Sequence, residues 1–253
     1  MPIHPSLFDG IPTYDRYRTL RLVAPELGGP LIGEDVYALQ VALQEIDIAV
    51  GELDGVLGRK TSEGIREAQE SLDGFMGIHL VVDGLAGGWT QQAIARLIIR
   101  DVTREYDIAQ GAGRGQIEHE SGFRLGNYSP PRPAGDYDAG VAQRNTQFTP
   151  PEQGFDTAAS ISALARHLKA YYRLYDGIKD ERLRWSIAQG SWNAPAYAAW
   201  LADDAGATSI PNSPPGWWPK DVGYVGKSRS RPGSIATATL QAYIASVSAY
   251  LKP

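Results

Sequence analysis

Asp54-Gly55-Val56-Leu57-Gly58-Arg59-Lys60-Thr61 returns as Asp83-Gly84-Leu85-Ala86-Gly87-Gly88-Trp89-Thr90, from position 54 to position 83, an offset of 29 residues. Each copy reads as a turn leading into a helix. Asp-Gly makes the tight turn, the second glycine takes a special backbone angle, and the threonine is expected to cap the helix. Ile65 and Ile94 then fall at matching inward positions. One copy would be a simple helix-start device. Two copies mark a duplicated turn–helix unit.

Outward from the repeat, helices dominate. Asp35 is an N-cap candidate, and Val36, Leu39, Leu43 and Ile46 mark one apolar face. Residues 1–29 are rich in proline and glycine and read as an irregular lead-in. Arg96 to Ile108 is predicted as a helix running into the second half with no flexible linker. Tyr128 to Tyr137, with Pro130, Pro131 and Pro133, must be an irregular loop. Asp156 or Thr157 starts an amphipathic helix with Ile161, Leu164, Ala165, Leu168, Tyr172 and Tyr175 inward, closed by Gly177. Another is expected from Glu181 to Trp192, with Leu183, Ile187, Ala188 and Trp192 as core candidates. Residues 211–219 form a long loop, and a last helix presents Leu240, Tyr243, Ile244, Val247 and Leu251. Strand signals are few, so the fold class is mainly α.

Composition narrows the function. The chain has 253 residues, 43% of them hydrophobic and 21% charged, as in a soluble globular protein with a substantial core. Net charge is −5, and no Lys/Arg cluster exceeds Arg229-Ser230-Arg231, which argues against nucleic acid as a partner. There is no cysteine, hence no disulfide or thiolate chemistry. No apolar run reaches the roughly 18 residues of a membrane span, so no membrane is expected. The N-terminus lacks a basic segment followed by an apolar one, so no signal peptide is expected.

The chemistry centres on Gly115-Gln116-Ile117-Glu118-His119-Glu120-Ser121-Gly122-Phe123. Here a carboxylate sits near the end of a short helical segment, before a glycine break. Ile117 and Glu120 are three apart and share a helix face. With Ile117 toward a core, Glu120 lies at its edge and Glu118 turns toward water. Partial burial and the negative end of a helix dipole both raise a carboxyl pKa, as a general acid requires. Most glutamates on short helices are solvated surface groups, so the weight comes from three groups later in the chain: Gly140-Val141-Ala142-Gln143, Ser191-Trp192-Asn193-Ala194-Pro195 and Tyr224-Val225. A zinc peptidase would need His-Glu-x-x-His, and His119-Glu120-Ser121-Gly122-Phe123 fails at its fifth position. His4, His79 and His167 are scattered and read as structural or solvated, so neither a metal nor a cofactor is expected. Gly111 to Gly115 lacks a preceding strand and a Lys-Ser/Thr ending, and reads as structural.

With Asp35-Val36-x-x-Leu39-Gln40-x-x-Leu43 before it and Ala68-Gln69 between its copies, the repeat resembles the small three-helix peptidoglycan-binding domain over about residues 30–99. It departs at residues 70–75, where a shorter connection is usual. The resemblance implies non-catalytic anchoring to wall polymer, with Asp54, Gly55, Asp83, Gly84 and Trp89 as wall-binding candidates. Residues from about 103 to 253 resemble the lysozyme-like lytic transglycosylases, including goose-type lysozymes, which carry Glu-Ser, Gly-Leu-Met-Gln, Tyr-Asn-Ala-Gly and Tyr-Val in that order. The departures are Val141-Ala142 for Leu-Met, Trp192 for tyrosine and Pro195 for glycine. The expected architecture is an irregular lead-in over 1–29, a peptidoglycan-binding domain over 30–100, and an α-helical lysozyme-like domain over 101–253.

The second resemblance implies cleavage of the MurNAc–GlcNAc β-1,4 glycosidic bond with Glu120 as general acid/base, Ser121 and Asp138 flanking the motifs as supporting residues. Gln143 and Asn193 would hold the sugar N-acetyl groups or order loops; Tyr224 would fix Glu120. Asn193 could instead cap the helix before Pro195, and Tyr224 could fill core. An inverting hydrolase needs a second carboxylate to activate water, and Asp136 and Asp138 are the candidates. Where goose-type lysozymes carry an aspartate, this chain has Asn145, which cannot act as a base and favours the transglycosylase. A non-catalytic wall-binding virion protein is the rival class. Without an export signal, a wall-degrading reading implies a bacteriophage endolysin, a monomer made in the host cytoplasm and acting on the wall after release.

Overall fold

The computed structural model describes residues 7–8, 10–23, 29–192, 194–207, 210–211, 213–222, 224, 242 and 245. Among the described residues about 50% are helical and 4% strand, a mainly α protein. The described helices are α1 (Glu34–Glu45), α2 (Arg59–Leu72), α3 (Gly88–Glu105), α4 (Gln110–Ser121), α5 (Pro151–Phe155), α6 (Thr157–Leu174), α7 (Glu181–Gly190) and α8 (Pro195–Asp204). Two short antiparallel strands, β1 (Asp138–Ala139) and β2 (Arg144–Asn145), pair Asp138 with Asn145. The expected last helix, from Leu240 to Leu251, lies outside the described residues.

Packing gathers the chain into two units: residues 1–100 with 120–161, and 101–119 with 162–253. The motif-based domains, 30–100 and 101–253, follow chain order, whereas here residues 120–161 pack with the first hundred. In the first unit Leu39, Leu43, Leu57, Ile65 and Ile94 are fully buried. Ile65 and Ile94 thus take the matching inward places the repeat assigns them. In the second, Leu168, Tyr171, Tyr175 and Ala188 form the fully buried centre.

Several local expectations change. Gly33, not Asp35, is the N-cap of α1; Asp35 sits in the first turn, where it accepts the Val36 N–H and a two-pronged grip from Arg18 at 2.6 and 2.7 Å. Gly58 caps α2, so Thr61 lies inside the helix. Pro151 and Pro195 open α5 and α8, two helices that proline-as-breaker reasoning misses. Proline suits the first helical position because its missing N–H has no partner there anyway. Leu183 is exposed at 40%, and Trp185 takes the buried place on α7. Tyr172 is half-buried and stacks on Trp185 at 3.9 Å.

The described part of the lead-in is irregular but not idle. Leu20 exchanges both backbone hydrogen bonds with Ala86, just as Leu31 accepts the N–H of Leu57. Each turn of the repeat therefore has its own extended partner. Tyr14 donates its hydroxyl to the Gly126 carbonyl at 2.8 Å, and Tyr128 returns one to Tyr14 at 2.6 Å.

Candidate functional site

The two turns of the repeat are closed by the same side chain. In the first copy the Gln40 amide nitrogen donates to Asp54 Oδ1 (2.9 Å), the Val56 carbonyl (3.1 Å) and Thr61 Oγ1 (3.2 Å), while its oxygen accepts the Gly55 N–H (2.8 Å). In the second, Gln69 donates to Asp83 Oδ1 (2.8 Å), the Leu85 carbonyl (3.1 Å) and Thr90 Oγ1 (3.3 Å), and accepts from Gly84 (2.9 Å). Asp54 and Asp83 each also accept the N–H two residues on, making Asx turns. The special backbone angle falls on the first glycine of each copy, Gly55 and Gly84 at φ of 71° and 76°, which only glycine adopts readily. It does not fall on the second as expected, since Gly58 is extended at φ of −91° and Gly87 is not left-handed. The threonines expected as caps are buried acceptors of these glutamine latches. Of the wall-binding candidates, Asp54, Gly55, Asp83 and Gly84 therefore build the turns, and Trp89 alone stands out from them, 68% exposed.

Glu120 and Ser121 form the last residues of α4. The chain then reverses through Gly122 and Phe123, both left-handed at φ of 59° and 64°, and Phe123 is buried with Arg96 over its ring at 5.2 Å. Glu120 is half-buried. Glu118 differs from its expectation: it too is half-buried, and its Oε2 is buried without a hydrogen bond, rather than turned to water. Asn127, which the sequence did not single out, ties the end of α4 to the next motif. Its side-chain nitrogen reaches the Glu120 carbonyl (3.4 Å), and its own carbonyl accepts the Gly140 N–H (2.8 Å).

Gly140 has φ of 74°, and a β-carbon there would fall 1.8 Å from the Gly154 carbonyl oxygen of α5. No other residue fits. Gln143, itself at φ of 50°, donates its amide to the Gly140 carbonyl at 2.8 Å. That contact uses one of the two amide N–H groups, and Oε1 and the second N–H remain for hydrogen bonding. Gln143 orders its loop and keeps one acceptor in reserve.

Asp136 and Asp138 are both held by Arg132, at 2.8 and 2.6 Å, and Asn145 donates to Asp136 at 3.0 Å. The Asn145 amide, then Arg132, holds the Asp136 carboxyl below its usual range. A carboxylate tied to a guanidinium is a weak base for water.

In the second unit, edge-on rings run from Trp192 to His167 (4.9 Å), on to Tyr171 (tilted, 4.6 Å), Trp218 (5.0 Å) and Tyr224 (4.9 Å). His167 Nε2 is 2.9 Å from Ser191 Oγ, whose proton goes to the Ala188 carbonyl at 2.5 Å. The imidazole therefore donates to the hydroxyl. Burial pushes it down to about 3, so it is neutral, a packed histidine rather than a base. The Tyr224 hydroxyl donates to the Pro211 carbonyl at 2.6 Å. Asn193 and Val225 lie outside the described residues. Among the described residues no group of three His, Asp or Glu side chains could hold a metal, and no helix is long and apolar enough to cross a membrane.

No family model matches the chain, and comparison with curated proteins and with solved structures returns no match.

Proposed function

We propose that this protein is an endolysin-type lytic transglycosylase that cleaves the MurNAc–GlcNAc β-1,4 bond of peptidoglycan, with residues of the repeat anchoring it to the wall. What carries the choice over a hydrolytic muramidase is the Arg132 clamp. Both carboxylates that could activate water are engaged by one guanidinium, and Asn145 occupies the place of a third. A transglycosylase needs no such group. Glu120 protonates the bridging oxygen as the C1–O bond breaks. The same carboxylate then takes the proton from the muramyl 6-hydroxyl as its oxygen bonds C1, giving a 1,6-anhydro end. Gln143 Oε1 suits an N-acetyl N–H, and Asn127 holds the loop that carries Gln143 to the end of α4.

The test is Glu120→Gln beside Glu118→Gln, with purified peptidoglycan as substrate and mass spectrometry of released muropeptides. Loss of clearing by about 10²-fold or more in Glu120→Gln alone, and wild-type products one water lighter than reducing ends, are expected. Activity lost only in Glu118→Gln would move the acid to that residue. Reducing ends together with loss in Asp136→Asn would favour the muramidase. A folded, inactive wild type that still sediments with walls would favour a non-catalytic binder.

A further inference from the structure

Above each glutamine latch lies an open cleft, and the two clefts correspond position for position at the 29-residue offset. Their floors are the same: Gln40, Asp54 and Thr61 in one, Gln69, Asp83 and Thr90 in the other. Their rims are not. Glu52, Arg59 and Lys60 around the first cleft are Val81, Gly88 and Trp89 around the second. All three charged positions have become neutral, and one has become an indole. His79, in the place of Val50, lies 3.5 Å from Asp73.

Trp89 is 68% exposed and makes neither a ring contact nor a hydrogen bond among the described residues. Val81 beside it is 74% exposed. Both line the same cleft, so its rim carries exposed apolar surface. The cleft is not simply greasy, however. Asp83 lines the cleft as an exposed residue and uses only Oδ1 for the latch and the Leu85 N–H. The Leu85 N–H, then Gln69, holds this carboxyl below its usual range, so it remains an anionic acceptor. Thr19, positioned by the pairing of Leu20 with Ala86, adds a hydroxyl from the lead-in that the first cleft lacks. The volume, about 280 Å³, is at the lower edge of ordinary ligand clefts of about 300–1,000 Å³, room for a small ring rather than a folded segment.

A flat apolar face, an indole N–H, one fixed carboxylate oxygen and a hydroxyl together match a ligand that is neutral, apolar on one face and rimmed with hydroxyl donors. A pyranose has that form. We propose that the second cleft is a saccharide subsite in which an N-acetylated pyranose stacks on Trp89 and donates a hydroxyl to Asp83, and that the charged first cleft takes no sugar. This rests on the wall-binding part of the proposed function and names which copy of the repeat serves it.

The full-length Glu120→Gln protein, labelled for amide NMR, is titrated with tri-N-acetylchitotriose. Saturable shifts are expected at Gly84, Gly87 and Thr90, with Gly55, Gly58 and Thr61 unmoved. Trp89→Lys should weaken binding about tenfold or more, and Lys60→Trp should bring shifts to Gly55 and Gly58. Equal shifts in both clefts, or unchanged affinity in a folded Trp89→Lys, would overturn the assignment. Absence of any shift while the protein still sediments with peptidoglycan would overturn the subsite and leave wall binding standing. If it neither shifts nor sediments, the wall-binding reading falls and takes the subsite with it.

Discussion

Gln40 and Gln69 perform one task in two places, yet the clefts they floor face solvent with opposite chemistry. Beneath the surface the copies share one pattern: an amide spread over three acceptors, a glycine N–H returned, an Asx turn. To this the second adds the Asp83 N–H on the Gln69 oxygen and the Thr90 hydroxyl on the Leu85 carbonyl. At the rim the counterpart of Lys60 is Trp89 and that of Glu52 is Val81. The buried half leaves little latitude, because every donor and acceptor removed from water must be satisfied. The rim is hydrated in either form, and surface changes cost little stability. A duplicated unit can therefore keep its fold and change what one copy touches.

The copies also differ in how they are braced, and the largest expected effect lies there. Arg18 grips Asp35 in the first helix of the repeat, whereas the second has Gly64 at the corresponding position. Arg18→Ala should cost about 3–5 kcal/mol in urea unfolding, since it leaves a buried carboxylate unpaired. Burial already raises the Asp35 pKa despite Arg18. Without Arg18 it rises further above its unfolded value, so the deficit is fullest above the folded pKa and shrinks as pH falls through it. A deficit independent of pH would mean that Asp35 is not the group left behind.

Next come the latches. Gln40→Ala and Gln69→Ala should each cost about 2–3 kcal/mol, because each strands buried groups of one turn. Nearly equal losses would sharpen the comparison; a difference above about 1 kcal/mol would show that the matched bonds are not matched in energy. The smallest effect is expected for Thr61→Val and Thr90→Val, about 1 kcal/mol each, removing one shared acceptor while keeping shape. Chitotriose binding by Thr61→Val should stay at the wild-type level, and loss there would assign the sugar to the wrong cleft.

Much of the local structure is legible along the chain. The Asp-Gly turns at 54 and 83, the inward Ile65 and Ile94, and the amphipathic helix from Thr157 depend on neighbours within a few residues. The role of Gln40 is not legible, because its partners lie 14 to 21 residues away in a turn whose closure the sequence only implies. Pro151 and Pro195 look like breaks, yet each stands at the start of a helix. Around the candidate acid, Glu120 and Gln143 stand out by motif, while Asn127, which joins them, has no signature of its own.

By itself the sequence determined the mainly helical class, the duplication, the Asp-Gly turns at 54 and 83, and an ordered set of candidate groups, since turn chemistry and helix periodicity act over one or two turns of chain. Tertiary structure decided which of those groups remain available. It put Asp136 and Asp138 into one guanidinium, turned the Asp54 and Asp83 carboxylates into turn closures, neutralised His167 by burial, and left Trp89 in the open. The reason is physical: whether a polar side chain is free to act depends on its desolvation and on which distant partner reaches it first, and neither is written in the residues beside it.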